Sequence, residues 1–288
     1  MAIKNEQKGD SVKKKKVFIF CIILLIGILA VSFDVRLKTV TYTINSPKIS
    51  GEIKLASVTD LHSCYYGKNQ SSLINKIERY QPDAVLLCGD IFDDALNDDN
   101  ACALINGLAQ KYRIYYVSGN HEWWSDRMYD MIDYLTSNGV TVLRGDADIL
   151  TVGKDTLAII GIDDPEVNVY DSMFKSWEEQ LKQAGHKTEE NCFNLLLAHR
   201  PEYAEKYFQY GFDAVFSGHA HGGQFRIPFI LNGLYAPNQG LFPKFAGGVY
   251  DFFGKKLIVS RGLARESTRL PRIFNRPELV FVNLIPQE

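Results

Sequence analysis

Residues 214–223 read AVFSGHAHGG. A short apolar run stops at a glycine, and two histidines two positions apart follow, with two more glycines behind them. Four other segments are built the same way. IKLASV at 53–58 leads into TDLH, AVLLC at 84–88 into GDIFDD, IYYVS at 114–118 into GNHE, and FNLLLA at 193–198 into HRPE. Runs of four to six residues with apolar side chains on both faces suit strands buried on both faces. LAIIGI at 157–162, KLIVS at 256–260 and LVFVNLI at 279–285 extend the series. Between them lie amphipathic stretches: SSLINKIERY at 71–80, RMYDMIDYLTSNG at 127–139 and SMFKSWEEQLKQAG at 172–185. Each of these has helical spacing, and the last two end in glycine. Alternating buried strands and helices predict an α/β core. In such folds ligands collect beyond the carboxyl ends of the strands, where Asp, Asn and His are placed here.

The whole chain is compatible with that core. Its 288 residues are 46% hydrophobic and 23% charged, enough to bury a sizeable interior. A net charge of −2 argues against nucleic-acid binding through bulk positive charge, and no nucleic-acid partner is expected. The five cysteines, Cys21, Cys64, Cys88, Cys102 and Cys192, form no CxxC pair. They read as buried or half-buried thiols, not as a disulfide framework or a thiolate metal site.

The N-terminus differs in kind. Residues 1–16 form a basic tail ending in KKKK, and residues 17–33, VFIFCIILLIGILAVSF, carry no charge. At 1.5 Å per residue this run reaches roughly 25 Å, near the lower limit for a bilayer core. It reads as an uncleaved single-pass anchor. A cleaved signal peptide ending near AVS at 30–32 is the competing reading. Lysines on the N-terminal flank favour a cytoplasmic tail and an extracytoplasmic domain. Residues 34–50 read as a linker with a leading strand, and residues 51–288 as the main globular domain.

Five of the six histidines, all but His186, lie at strand ends beside Asp60, Asp90 and Asn120. Imidazole mixed with carboxylate suits borderline divalent ions such as Mn, Fe or Zn. In an extended segment residues i and i+2 point the same way, so Asp60 with His62, and His219 with His221, can each offer two ligands to one side. Asp60, His62, Asp90, Asn120, His199, His219 and His221 make seven candidates, more than one ion takes. Two ions about 3.5–4 Å apart, sharing a carboxylate, fit the count and suit phosphoester hydrolysis.

The ordered set D-x-H, G-D-x-x-D, G-N-H-E, H and G-H-x-H resembles the calcineurin-like metallophosphoesterases, over roughly residues 50–285. GHAHGGQFRIP, LYAPNQGLFPKFAGGVYD and VSRGLARESTRLPRIFNRPELVFVNL are similar to its bacterial membrane-linked YkuE/YaeI-type branch. The resemblance implies a four-layer sandwich of two mixed β-sheets flanked by helices. It implies that Asp60, His62 and His221 hold one ion, that Asn120, His199 and His219 hold the other, and that Asp90 bridges them. His121 would protonate the leaving oxygen or steady transition-state charge, Asp93 would orient His121, and Glu122 would support its loop. The nucleophile would be a metal-bridging hydroxide, and the substrate a phosphomonoester, phosphodiester or pyrophosphate, lipid- or envelope-linked. A UDP-2,3-diacylglucosamine-type pyrophosphohydrolase and a non-catalytic metal-binding scaffold are the alternatives.

Weaker signals lie downstream. Arg261, Arg265, Arg269, Arg272 and Arg276 crowd the C-terminal region, and Arg200 follows a candidate ligand. Guanidinium suits phosphate, and Arg272 is the first choice for substrate. LNGLYAPNQGLF at 231–242 reads equally as a substrate-facing loop or a packed turn. Trp123 and Trp124 read as core, with a groove lining as the other option. Asp163 and Asp164 read as structural or supporting, and NDDN at 97–100 as a solvated loop.

Overall fold

The computed structural model describes residues 2–265 and 270–287; Arg269 lies outside the described residues. Fourteen strands follow the N-terminal helix Ala2–Ser32: β1 (Lys38–Ser46), β2 (Ile53–Val58), β3 (Ala84–Cys88), β4 (Arg113–Val117), β5 (Thr141–Val142), β6 (Asp146–Val152), β7 (Asp155–Gly161), β8 (Phe193–Leu197), β9 (Ala214–Ser217), β10 (Tyr235–Ala236), β11 (Gly240–Leu241), β12 (Gly248–Phe252), β13 (Lys255–Val259) and β14 (Glu278–Pro286).

Two six-stranded mixed sheets form, in the orders β1-β14-β2-β3-β4-β5 and β12-β13-β9-β8-β7-β6, with β10 and β11 as a separate hairpin. In the first sheet β14 runs antiparallel to β2, while the β2-β3, β3-β4 and β4-β5 pairs are parallel. In the second, β13, β9, β8 and β7 are parallel, and β12 and β6 close the edges as antiparallel partners.

The period of two along each strand divides the interior into layers. Leu55, Ala84, Leu86, Leu157, Ile159, Leu195, Leu197 and Phe216 fill the space between the sheets. Ala56, Val85, Leu87, Ala158, Ile160 and Leu196 belong to the second buried set, with Leu73, Ile77, Leu104, Ile105, Leu181 and Ala184 from the helices. Strands buried on both faces explain the runs with no polar alternation. The result is the expected sandwich of two mixed sheets flanked by helices.

Helices Ser71–Tyr80, Met128–Ser137 and Trp177–His186 coincide with the expected ones. Trp177–His186 starts with a capping box, in which Ser176 and Glu179 exchange hydrogen bonds with each other's backbone N–H. One expectation changes. NDDN is not a solvated loop, because Asp99–Leu108 is a helix with Asp99 in its first turn. Gly107 lets this helix approach its neighbour, since a Cβ there would sit 2.4 Å from Ile74 Cδ1. Within 34–50, β1 pairs in parallel with β14 along its whole length. The helix Lys13–Ser32 is long and apolar enough to cross a membrane, a property shared with signal sequences.

Candidate active site

The ends of β2, β3 and β4 bring Asp60, His62, Asp90 and Asn120 from one sheet. The ends of β8 and β9 bring His199, His219 and His221 from the other. All seven are buried. Five of them, Asp60, His62, Asp90, His219 and His221, have φ between 46° and 62°. Outside glycine this left-handed region costs of order 1 kcal/mol per residue and persists where surrounding structure dictates it. The backbone turns sharply after each strand so that consecutive motifs meet.

Asp90 lies at the centre. Its Oδ2 is 3.1 Å from His199 Nε2 and 3.5 Å from His62 Nε2, and its Oδ1 accepts from the backbone N–H of His121 at 2.9 Å. Asp60 Oδ1 accepts from His219 N at 2.8 Å and is 3.9 Å from the Nε2 atoms of His199 and His221. Three groups of potential ligand atoms lie within 4.8 Å of one another: Asp60, His62, Asp90 and His221; Asp90, His199 and His219; and His62, Asp93 and His121. Gly119 allows the crowding, because a Cβ there would lie 2.2 Å from Asp90 Oδ1.

The hydrogen bonds fix which imidazole nitrogen faces inward. His199 Nδ1 donates to the Cys88 carbonyl at 2.8 Å. His62 Nδ1 bonds Asp93 Oδ2 at 3.0 Å, and His219 Nε2 bonds Asn238 Oδ1 at 2.8 Å. The opposite nitrogens of His62 and His219, with His221 Nδ1, Asp60 Oδ2 and Asn120 Oδ1, are buried and have no hydrogen-bond partner. Five buried atoms without partners would each cost about 1–3 kcal/mol if they stayed unpaired. All five are ligand atom types for a divalent cation, so the residues fit a metal centre.

Electrostatics agree. Burial, reinforced by the Arg200 charge at His219 and by His62 at His221, holds both imidazoles well below their usual pKa, hence neutral with lone pairs available. Burial raises the Asp60 carboxyl. At Asp90 burial is outweighed by His199 and His121, and its pKa lies well below the usual range.

Glu122 does support its loop. Its carboxylate accepts four backbone N–H groups, from Asp90 (3.0 Å), Ile91 (2.7 Å), Phe92 (3.2 Å) and Gly119 (2.9 Å). Burial and the nearby Asp90 charge nonetheless raise its pKa to about 7. His121 is partly exposed at the mouth, edge-on to the His62 ring at 4.3 Å and 4.8 Å from the Trp124 ring. The expected partner of His121 changes. Asp94 Oδ1 is 2.5 Å from His121 Nδ1, whereas Asp93 Oδ2 is 3.8 Å away and bonded to His62. Two adjacent carboxylates serve two histidines, and spacing alone did not say which takes which.

Arg272 is buried, and its Nε and Nη1 donate to the carbonyls of Ala264 and Arg261. It clamps the segment after β13, while its Nη2 is buried with no hydrogen-bond partner among the described residues. Arg200 is enclosed too, bidentate on Asp164 at 2.6 and 2.9 Å, with Nη1 on Asn238 Oδ1 at 2.7 Å. Asn238 is the site residue that sequence reasoning missed. It comes from the loop 231–242 and joins Arg200 to His219. Of the two tryptophans, Trp123 is core and Trp124 is exposed beside His121.

Residues 53–223 match the family model of the calcineurin-like phosphoesterases. The chain belongs to that family. It is accordingly a metal-dependent phosphoester hydrolase. It is 29% identical over 279 residues to an uncharacterized metallophosphoesterase of Campylobacter jejuni, covering 91% of this chain and 68% of that one. It is 27% identical to the metallophosphoesterase YkuE of Bacillus subtilis, covering 86% and 85%. It is likewise 27% identical to the phosphodiesterase YaeI of Escherichia coli, covering 71% of each. The fold is similar to that of the NAD nucleotidase of Haemophilus influenzae, with a TM-score of 0.53 and 19% identity over 74% of this chain and 45% of that one.

Proposed function

We propose that the chain is a membrane-anchored phosphodiesterase or phosphomonoesterase that works with two divalent cations. The observation that carries the reading is the pair of ligand clusters that share Asp90, one with Asp60, His62 and His221 and one with His199 and His219, together with five buried ligand atoms that have no hydrogen-bond partner. Asp60, His62 and His221 would hold one ion, Asn120, His199 and His219 the other, and Asp90 would lie between them. Mn, Fe and Zn suit the mixed nitrogen and oxygen donors. When bound, such a pair supplies Lewis acidity, drawing charge from phosphoryl oxygens and acidifying water.

The chain's own residues do the rest. Asp93 fixes the His62 ring, Asn238 fixes His219, and the Cys88 carbonyl fixes His199. His121, at the mouth with Nδ1 on Asp94, has its Nε2 side free to give a proton to a leaving oxygen. Asp90, Asp94 and Asp93 raise its pKa against the lowering effect of burial. The likeness to a phosphodiesterase favours a diester substrate. The apolar helix would stay as the anchor, with the lysines at its start on the cytoplasmic side.

The test is hydrolysis of an aryl phosphodiester and an aryl phosphomonoester by the full-length chain, its Asp90→Ala variant and its His221→Ala variant. Both substitutions should reduce turnover at least about a hundredfold. Turnover within twofold of the parent in either variant would refute the reading.

A further inference from the structure

The N-terminal helix does not lead into a free tether. Ser32, its last residue, is buried, and its carbonyl accepts from Phe274 N at 2.7 Å. Asp34 pairs with Arg276 at 3.4 Å, and the Arg276 guanidinium bonds the carbonyls of Arg36 and Leu37. The end of the apolar helix is therefore seated on the segment 273–276. That segment is paired in turn with the loop after His221: Phe225 bridges Ile273, and Arg226 N donates to the Ile273 carbonyl at 3.0 Å.

Three residues beyond Arg226, at most about 10 Å along the chain, the loop turns back on itself, with Ile227 and Leu231 paired. At the tip Phe229 is 108% and Ile230 82% exposed, and Leu241, Phe242 and Leu270 are exposed as well. Phe229 and Ile230 line one surface recess with Arg226 and Leu231, and exposed apolar side chains held together in this way mark an interaction surface. Arg226, beside the tip, has a buried Nε with no hydrogen-bond partner among the described residues. Aromatic and aliphatic tips beside a cation match the interfacial region of a bilayer.

We infer that the loop 226–242, with Phe229 and Ile230 at its tip, is a second membrane contact that docks into the bilayer crossed by the helix. The inference rests on the anchor reading above. It follows from the helix end being fastened to the segment 273–276, which pairs with Phe225 and Arg226 where the loop begins and so keeps the tip close to the point at which the helix would enter the bilayer. The same loop carries Asn238, bonded to His219, so the docked face adjoins the mouth of the site.

The experiment places one tryptophan at a time in the full-length chain, reconstituted into vesicles of phosphatidylethanolamine and phosphatidylglycerol. Phe229→Trp reports on the tip. Phe253→Trp is the control, because Phe253 is 105% exposed in the β12-β13 turn, at the opposite end of the strands from the site. Quenching by lipids brominated near the headgroup end of the acyl chain is compared with the parent protein. Unchanged turnover of a soluble aryl phosphodiester checks that each variant folds. Resistance to alkaline carbonate extraction tests the anchor separately. The expected result is a retained protein in which the fluorescence added at 229 falls at least twofold and that added at 253 does not. A retained protein with position 229 unquenched, or with 229 and 253 quenched alike, overturns the docking surface and leaves the anchor standing. A protein that carbonate extracts overturns the anchor and this inference with it.

Discussion

Replacing Glu122 by Gln separates a structural carboxylate from a catalytic one. Glu122 Oε1 accepts from Ile91 and Phe92, and Oε2 from Asp90 and Gly119. The amide of Gln keeps one oxygen, so at best one pair survives. The other two N–H groups would face an NH₂, donor against donor, in a site with no exposure. At about 1–3 kcal/mol for each orphaned buried donor, the loss is about 2–6 kcal/mol. That is a large part of the stability of a typical domain. Whichever pair is freed includes the N–H of Asp90 or that of its neighbour Ile91, so the loop should shift and metal affinity should fall about tenfold or more. Urea unfolding of the full-length chain in detergent micelles, with a chelator-competition titration of Mn(II), reads both effects. An unfolding midpoint and metal affinity equal to the parent's, with turnover lost, would refute the structural role and make Glu122 a reacting group.

Two further substitutions follow from the site. Asp94→Asn should lower kcat about tenfold, with metal affinity within twofold of the parent, because Asp94 is bonded to His121 alone among the histidines. Asp93→Asn should do the reverse and weaken metal binding about 10- to 100-fold through His62; steady-state kinetics and metal titration on both variants check the assignment. Asp164→Ala should destabilise the protein by about 1.5–3 kcal/mol in the same urea assay, because it removes the bidentate partner of the enclosed Arg200 guanidinium, which keeps Asn238 and, at 3.4 and 3.8 Å, Glu166 and Glu202. It should also weaken metal binding, since Arg200 steadies Asn238 against His219.

Much of this arrangement was legible before any coordinates. The strands β2, β3, β4, β7, β8, β9, β13 and β14 declared themselves because burial on both faces removes polar alternation, whereas β5, β6 and β12 at the sheet edges are part-exposed and carry no such run. The seven candidate ligands were legible because each lies within four residues of such a run, and topology brings those ends together. Where reading failed, the cause was tertiary. Asn238 sits in a loop with no periodic signal, and only folding brings it to His219. Asp93 and Asp94 are chemically identical, and their partners depend on rotamers that sequence spacing does not encode. The helix Asp99–Leu108 begins in a run of Asp and Asn that reads as loop, while its packing depends on Gly107 meeting Ile74. Spacing did not reveal that two backbone carbonyls take the Nε and Nη1 donors of Arg272.

The central claim is that two cations, shared through Asp90, carry the activity. The most direct measurement strips the full-length chain of metal and titrates Mn(II) back, following bound metal by mass spectrometry and phosphodiester turnover in the same samples. The account predicts no turnover without metal, about two ions per chain at saturation, and turnover that appears as the second ion binds. Full turnover at one ion per chain, or persisting in the stripped protein, would contradict it.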